Sequence, residues 1–120
     1  MEKLLKQTSL LVSETDEKGV IRYANEEFCA MAEYDVTELE GKPHNIIRHP
    51  DMPKAAFKDL WQTVKSGETW TGYVKNSTST GGFYWVYAIV STIEGGFISC
   101  RRKPSDSEIQ EAQNLYKSMV

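Results

Sequence analysis

Three polar residues in a proline-rich loop could bind an anion. Arg48, His49 and Asp51 lie within residues 42–53, which hold three of the four prolines and so cannot form one regular helix or strand. A guanidinium, an imidazole and the free N–H groups of a following helix N-terminus together suit a phosphate. The structural alternative is that Asp51 caps a helix beginning near Pro53 while Arg48 is simply exposed.

Asn76 is a candidate for hydrogen bonding to a planar ligand. It follows Trp70 and Val74 at even spacing in an extended segment, so it faces the core if those two residues do. A buried amide costs roughly 1–3 kcal/mol unless its polar atoms have partners, and a flat ligand with a donor and an acceptor edge would supply them. Gly72, on the same face, leaves room for a close approach. The alternative is that Asn76 ends the strand and turns into the polar loop that follows.

Two tryptophans could hold a flat aromatic ring by stacking. Trp61 lies in a helical segment and Trp70 in the next strand, and aromatic faces pack well on other rings. Aromatic residues make up 11% of the chain. The alternative, an ordinary core residue, is the commoner case for each tryptophan taken singly.

The cysteines and histidines form no recognisable metal or catalytic set. Cys29 and Cys100 are far apart and belong to no CxxC pair, which favours two reduced, buried thiols. His44 and His49 lack HExxH spacing, and structural metal sites usually need four ligands. Because spacing also suggests no catalytic triad, we expect neither a metal centre nor an enzyme.

Strands and helices in the order ββ–α–α–loop–α–βββ–α would position these residues. Apolar periodicity and turn residues predict strands over residues 9–15, 20–24, 69–76, 83–93 and 97–103, and helical segments after the N-cap Asn25, over 35–39, from 53 to 66 and after the capping box Ser105–Glu108. Gly-containing turns join the last three strands, which indicates an antiparallel meander.

The strand predicted over residues 83–93 is apolar on both faces, unlike an antiparallel strand with one wet face. Either another segment of the chain covers its outer face or that face meets a partner. The N-terminal segment and the C-terminal helix are available as covers. In that helix Ile109, Ala112, Tyr116 and Met119 form a narrow apolar seam, which is typical of contact with a partner helix or a coiled coil.

Length and composition exclude several classes of protein. The chain has 120 residues, 40% hydrophobic and 26% charged, as expected for one folded domain. A net charge of −3 argues against a nucleic-acid-binding protein. Neither a stretch of about 20 apolar residues nor a secretory signal is evident, so we expect a cytoplasmic protein that does not insert into a membrane.

A dense pattern lies in the middle of the chain. It comprises residues 41–57 with the segment RHPDMP, then Asp59-Leu60-Trp61, Trp70-Thr71-Gly72, Val74-Lys75-Asn76, Gly81 and Tyr84-Trp85-Val86. In these residues and in the order of its elements the chain resembles a PAS domain, an α+β fold whose five-stranded antiparallel sheet carries short helices over one face. More narrowly, it is similar to the flavin-binding PAS domains of bacterial aerotaxis (redox-sensing) receptors.

This resemblance implies a sensor that binds FAD non-covalently and reads the redox, oxygen or energy state of the cell. In the family, positions that support FAD binding match Arg48, His49, Asp51 and Asn76, and positions at or near the flavin pocket match Trp61 and Trp70. We expect a sensor domain over residues 1–104 and a signalling helix over 105–120. The expected partner is a chemotaxis signalling domain or transducer, at the inner face of the membrane if it is a receptor. A homodimer through the outer sheet face or the terminal helices is also expected.

Departures and alternatives remain. The loop over residues 77–82 is uncharged, where the receptors are basic, and the turn over 94–96 is shorter. A haem-binding PAS sensor would need an axial histidine, often on the helix over 54–66, and this helix has none. A blue-light flavin sensor would need a reactive cysteine on a helix facing the flavin, and neither Cys29 nor Cys100 lies in the motif of that family. A ligand-free dimerisation module stays open. A domain of this size cannot bury all of FAD, so we expect the ring inside and the adenine in a surface cleft.

Overall fold

The five strands form one antiparallel sheet in the order β2-β1-β5-β4-β3. The computed structural model describes residues 1–119, with strands β1 Leu11–Asp16, β2 Ile21–Ala24, β3 Trp70–Ser77, β4 Phe83–Ile93 and β5 Gly96–Arg102 and helices α1 Glu26–Ala32, α2 Val36–Leu39, α3 Lys54–Lys65 and α4 Asp106–Ser118. Helices α1 to α3 pack on one face of the sheet, and the predicted α+β class is confirmed. Among these residues, no helix has the length and apolarity that crossing a bilayer requires.

The first hairpin and the helix after it form as predicted, because short side chains satisfy the backbone at both turns. Asp16 accepts hydrogen bonds from the backbone N–H groups of Lys18 and Val20 in the β1–β2 turn. Asn25 caps α1 by accepting from the N–H of Phe28. The same amide oxygen accepts from the N–H of Val12, so the cap also fixes α1 against β1.

The loop before α3 contains a 3-10 turn, His44–Ile47, and then pairs with the sheet. Arg48 forms an isolated bridge with Asn76, and this contact adds a short piece of backbone to the open edge of β3. The predicted capping of α3 by Asp51 is wrong. Pro53 is the N-cap residue, without a side-chain cap, and the Asp51 carboxylate instead accepts from Lys75 Nζ at 2.8 Å.

The inner face of the sheet and α1 to α3 enclose the core. Alternation along β4 buries Tyr84, Val86, Ala88 and Val90 on this face, where they join buried residues of the helices such as Phe28, Leu39, Leu60 and Val64. Strand β5 turns Phe97, Ser99 and Arg101 to the same side. Polar residues therefore share the inner face with the apolar core.

The chain itself covers the outer face of β4 through α4, which is one of the two alternatives that the sequence left open. Tyr116 of α4 stacks on Trp85, with ring centroids 6.4 Å apart and planes 12° from parallel. At the N-terminus, the N–H of Lys3 donates to the carbonyl of Phe83 at 2.7 Å, and Leu5 is buried. Leu5 belongs to the main core, which does not include Trp85, and the Lys3 bond pairs the N-terminal segment with the start of β4.

The capping box of Ser105 and Glu108 starts α4 as predicted. The proposed use of its apolar seam by a partner helix is wrong for two of its members. Ala112 is buried, and Tyr116 packs on the sheet of its own chain. The helix lies against a sheet, so Ala112 and Tyr116 are used within the domain, while Met119 at the end of the seam is exposed.

Candidate functional site

A cavity of about 410 Å³ lies between the inner face of the sheet, α3 and the loop before α3. Its apolar walls come from Phe57, Leu60, Trp61, Val74, Ala88, Val90 and Phe97. Its polar lining includes Ser13, Thr15, His44, Arg48, Asn76, Ser99 and Arg101. The volume is within the range of about 300–1,000 Å³ that is typical of small-molecule sites.

Asn76 faces this cavity. It is 3% exposed and shares its face of β3 with Trp70 and Val74, so the alternative in which it turns into the next loop does not apply. Its Nδ2 is buried and has no partner of good hydrogen-bond geometry among residues 1–119. The hydroxyl of Tyr84 lies close enough to the Asn76 amide to affect the Tyr84 pKa, but it does not complete a bond to Nδ2. A buried amide donor without a partner is costly, which makes Asn76 the kind of group that a ligand would satisfy.

Arg48 lies next to Asn76, since the two backbones are paired. Its guanidinium carbon is 3.8 Å from the centroid of the Phe57 ring, a cation–π contact that holds the side chain over the first turn of α3. The Nε atom is buried and lacks a partner in the described part of the chain. Burial lowers the pKa of Arg48 below its usual value.

His49 and Asp51 lie on the outer side of the same loop and do not line the cavity. His49 Nδ1 accepts from the N–H of Asp51 at 3.0 Å, and the His49 ring packs edge-on against Phe83. Partial burial is the main cause that lowers the pKa of His49 below its usual 6.5, and the nearby Lys75 charge is the second. The loop thus separates Arg48 from the two residues that its sequence spacing grouped with it.

The two tryptophans take different places. Trp61 lines the cavity and packs edge-on against Phe97, with centroids 5.4 Å apart. Trp70 lies outside the lining, and its Nε1 donates to Asp59 at 2.9 Å. The space expected beside Gly72 is filled by the Trp70 ring, because a Cβ on Gly72 would lie 2.5 Å from Trp70 Cη2. The two rings therefore do not face each other across the cavity.

Arg101 is the main cavity residue that the sequence analysis missed. It is 4% exposed, and its Nη2 donates to Ser13 Oγ at 3.0 Å and to His44 Nε2 at 2.8 Å. Its Nη1 is buried without a partner, and no carboxylate of residues 1–119 forms a salt bridge with it. Strand alternation could have found it, because Arg101 is in phase with the inward Phe97 and Ser99.

The buried charge in the cavity is positive and belongs to Arg101. Burial is the main cause that lowers the pKa of His44 to about 3, and the Arg101 charge is the second. The imidazole is therefore neutral near pH 7, and its Nε2 accepts a hydrogen bond from Arg101. Burial lowers the pKa of Arg101 to about 10, which still leaves it protonated. Burial also raises the pKa of Tyr84, which lies opposite Asn76 in the sheet, to about 12.

Four buried polar groups around one apolar cavity lack partners in residues 1–119: Asn76 Nδ2, Arg101 Nη1, Arg48 Nε and Ser99 Oγ. Each of them can donate a hydrogen bond. Together with the Trp61 ring, they suit a flat heteroaromatic ligand with several acceptors and a negative group. No cluster of three or more metal-ligating side chains occurs in this part of the chain.

Comparison with known proteins identifies relatives that are named as a receptor and a regulatory protein. The sequence matches the PAS fold family over residues 21–100. It is 44% identical to the aerotaxis receptor of Escherichia coli (strain K12) in an alignment that covers 96% of this chain and 24% of the receptor. It is 29% identical to the nitrogen fixation regulatory protein of Klebsiella pneumoniae, over 69% of this chain and 17% of that protein. The chain thus spans a quarter or less of the length of these curated relatives.

Solved structures share the fold at low sequence identity. The blue-light photoreceptor Aureochrome1 LOV in its light state superposes with a TM-score of 0.75 at 15% identity, covering 92% of both chains. A structure of a light-oxygen-voltage domain studied with a flavin analogue gives a TM-score of 0.74 at 17% identity, covering 92% of this chain and 87% of the other. Together with the five-stranded sheet and the family match, these likenesses show that the chain belongs to the PAS family.

Proposed function

We propose that this PAS domain binds FAD non-covalently in the cavity and reads the redox, oxygen or energy state for a chemotaxis signalling partner. The observation that carries the proposal is the set of four unpartnered buried donors around an apolar cavity. The name of the aerotaxis receptor and the flavin analogue in the light-oxygen-voltage structure are consistent with it. The relatives' names describe signalling proteins, in keeping with a sensor and not an enzyme.

The residues present fit a flavin. Asn76 and Arg101 would hold the acceptor edge of the ring, Trp61 would pack against the ring, and Arg48 would bind the pyrophosphate near the loop. His49 and Asp51 would act from the outer side by fixing this loop to Lys75. Trp70 would act indirectly by filling the space beside β3. When bound, FAD would supply electron transfer that alters the hydrogen-bonding pattern of its ring edge.

Strand β3 joins the cavity to α4. Asn76 faces inward, whereas Tyr73 on the same strand faces outward and donates to the Glu108 carboxylate of α4. The Tyr116 hydroxyl of α4 donates to the backbone carbonyl of Tyr73. Because the Asn76 amide has both a donor and an acceptor, it could rotate to match a changed ligand edge and shift β3. Residues 1–104 would then sense, and residues 105–120 would transmit; Val120 lies outside the described residues.

The partner would be a chemotaxis transducer or signalling domain, which places the protein in the cytoplasm or at the inner face of the membrane. Parts of the outer surface remain available for a homodimer, since Ile89 on β4 and Leu115 on α4 are exposed. These exposed apolar groups also favour the second candidate, a ligand-free PAS dimerisation module.

Absorbance of the purified protein separates these functions. Bands of oxidised flavin, with FAD identified in the released ligand, would support the proposal. A Soret band would indicate haem, and a colourless protein that dimerises would indicate the second candidate. We expect Asn76→Ala and Arg48→Ala to lose flavin, while the exposed control Asn114→Ala retains it. Full flavin content in both cavity variants would overturn this assignment of the site.

A further inference from the structure

Arg101 is a buried cation without a counter-ion. No carboxylate in residues 1–119 pairs with it, and its neighbours in the cavity are the neutral His44 and the hydroxyl of Ser13. Its guanidinium carbon is 4.9 Å from the centroid of the Phe28 ring, a cation–π contact that offsets part of the desolvation but brings no negative charge. A buried charge is usually paired because its desolvation is expensive. The chain by itself does not pair this one.

The hydrogen bonds of Nη2 fix the direction in which the unpartnered Nη1 of Arg101 points. Nη2 is fully engaged by Ser13 and His44, so the plane and position of the group are fixed. The buried Nη1 has no partner, and Arg101 lines the cavity. Since planar guanidinium groups recognise adjacent acceptors well, this donor suits a ligand with a carbonyl oxygen beside a ring nitrogen.

We propose that Arg101 anchors the acceptor edge of a flat heteroaromatic ring in the cavity and sets the preference of the site for such rings. The inference rests on the proposed function, in which that ring is the isoalloxazine of FAD. The pyrophosphate of FAD links the ribityl chain of the flavin to adenosine, whose adenine we expect at the surface. A guanidinium that is 4% exposed therefore contacts the ring and not the phosphates.

A merely structural role makes a different prediction about stability. If Arg101 served to hold the fold, its removal would destabilise the flavin-free protein. If it serves the ligand, replacement by methionine removes an unpaired buried charge and leaves Ser13 Oγ and His44 Nε2, which are 3.1 Å apart, to bond to each other. Such replacements of buried charges by apolar groups are often neutral or stabilising.

The test compares Arg101→Met, Arg101→Lys and the matched control Arg102→Met, an exposed arginine on the next position of β5. Affinities of the flavin-free chains for riboflavin and FAD are measured by fluorescence quenching, and unfolding is measured in urea. We expect Arg101→Met to lower the affinity for both ligands by about tenfold or more, because a charge-assisted hydrogen bond is lost. The free energy of unfolding should not fall. Arg101→Lys should recover part of the affinity, and Arg102→Met should match the wild type.

The outcomes separate this inference from the proposed function. If the wild type binds neither riboflavin nor FAD, the proposed function fails and the inference with it. If the wild type binds both and Arg101→Met binds them equally well, only the inference is overturned. Should Arg101→Met not fold, the guanidinium NMR signals of Arg101 are followed in the wild type during riboflavin addition. A shift supports the contact, and unmoved signals overturn it.

Discussion

At the scale of single residues, the two cavity arginines differ in depth and should therefore contact different parts of a flavin. Arg48 lies in the loop over Phe57, whereas Arg101 is fixed at the inner face of the sheet. We expect Arg48→Met to lower the affinity for FAD by about tenfold or more, because a charge-assisted contact to the pyrophosphate is lost. The affinity for riboflavin, which has no pyrophosphate, should be almost unchanged. Calorimetric titration with both ligands checks this. The control is Lys54→Met, an exposed cation at the start of α3; equal losses for riboflavin and FAD would contradict the prediction.

Strand alternation offered the inward direction of Asn76 as one of two alternatives, and the structure selects it. The same reasoning would have revealed Arg101 if the two faces of the strand over residues 97–103 had been compared. Local spacing could not place His49 and Asp51. Their position depends on the pairing of the loop with β3, a contact between segments about 25 residues apart in sequence. Long-range pairing of this kind has no local signal, so the sequence grouped three residues that the fold separates.

At the scale of elements, Gly72 determines how Trp70 lies on β3. A Cβ at position 72 would lie 2.5 Å from Trp70 Cη2, so Gly72→Ala must displace the indole and strain its hydrogen bond to Asp59. We expect a loss of about 1–3 kcal/mol in the free energy of unfolding, as for other overpacked cores. Urea unfolding measures the loss, and tryptophan fluorescence reports the displaced ring. Thr71→Ala, an exposed neighbour, is the control, and equal stability of the two variants would refute the prediction.

The attachment of α4 to the sheet should depend on pH. The hydrogen bond from Tyr73 is the main cause that holds the pKa of Glu108 below its usual 4.5. A carboxylate with a lowered pKa in the folded state stabilises the fold above its unfolded pKa, and this contribution is lost as pH falls through the folded pKa. We therefore expect α4 to loosen on acidification below about pH 4.5.

Tyr73→Phe isolates this effect. Without the phenol, the pKa of Glu108 moves back toward its unfolded value, so the variant starts less stable at neutral pH and loses less on acidification. The free energy of unfolding is measured between neutral pH and about pH 3 for wild type, Tyr73→Phe and the exposed control Tyr23→Phe. Glu33, whose pKa is lowered to about 2 mainly by hydrogen bonds from Thr80, contributes equally to all three proteins. Parallel curves for wild type and Tyr73→Phe would rule out the link.

The elements themselves were largely predictable, since their signals are local. The bounds of β4 match the prediction, the other strands agree to within two residues, and the caps at Asn25 and Ser105 form as expected. The cap of α3 was wrong because Lys75 competes for the Asp51 carboxylate. The seam of α4 was misinterpreted because a helix that packs on a sheet can bury the same narrow stripe as one in a coiled coil.

At the scale of the whole molecule, the cavity and α4 lie on opposite faces of one sheet and share β3 as their connection. Asn76 points to the cavity, Tyr73 bonds to Glu108, and Trp85 on the paired strand stacks on Tyr116. A change in hydrogen bonding at Asn76 can therefore reach α4 through strands that α4 contacts directly, and β5 also leads into α4 along the chain. The short β2 strand, at the far edge of the sheet, is not on this route.

This arrangement predicts where a change of redox state alters the protein. Between oxidised and reduced flavin-bound protein, we expect amide hydrogen exchange to change in β3, in Phe83–Ile93 and in Asp106–Ser118, because these segments share the contacts that join the cavity to α4. Ile21–Ala24 should change little and serves as the internal control. In Tyr116→Ala the change in Phe83–Ile93 should persist while that in Asp106–Ser118 falls, since the stacked contact is gone. Unchanged exchange in both segments of the reduced wild type would show that β3 does not transmit the signal to α4.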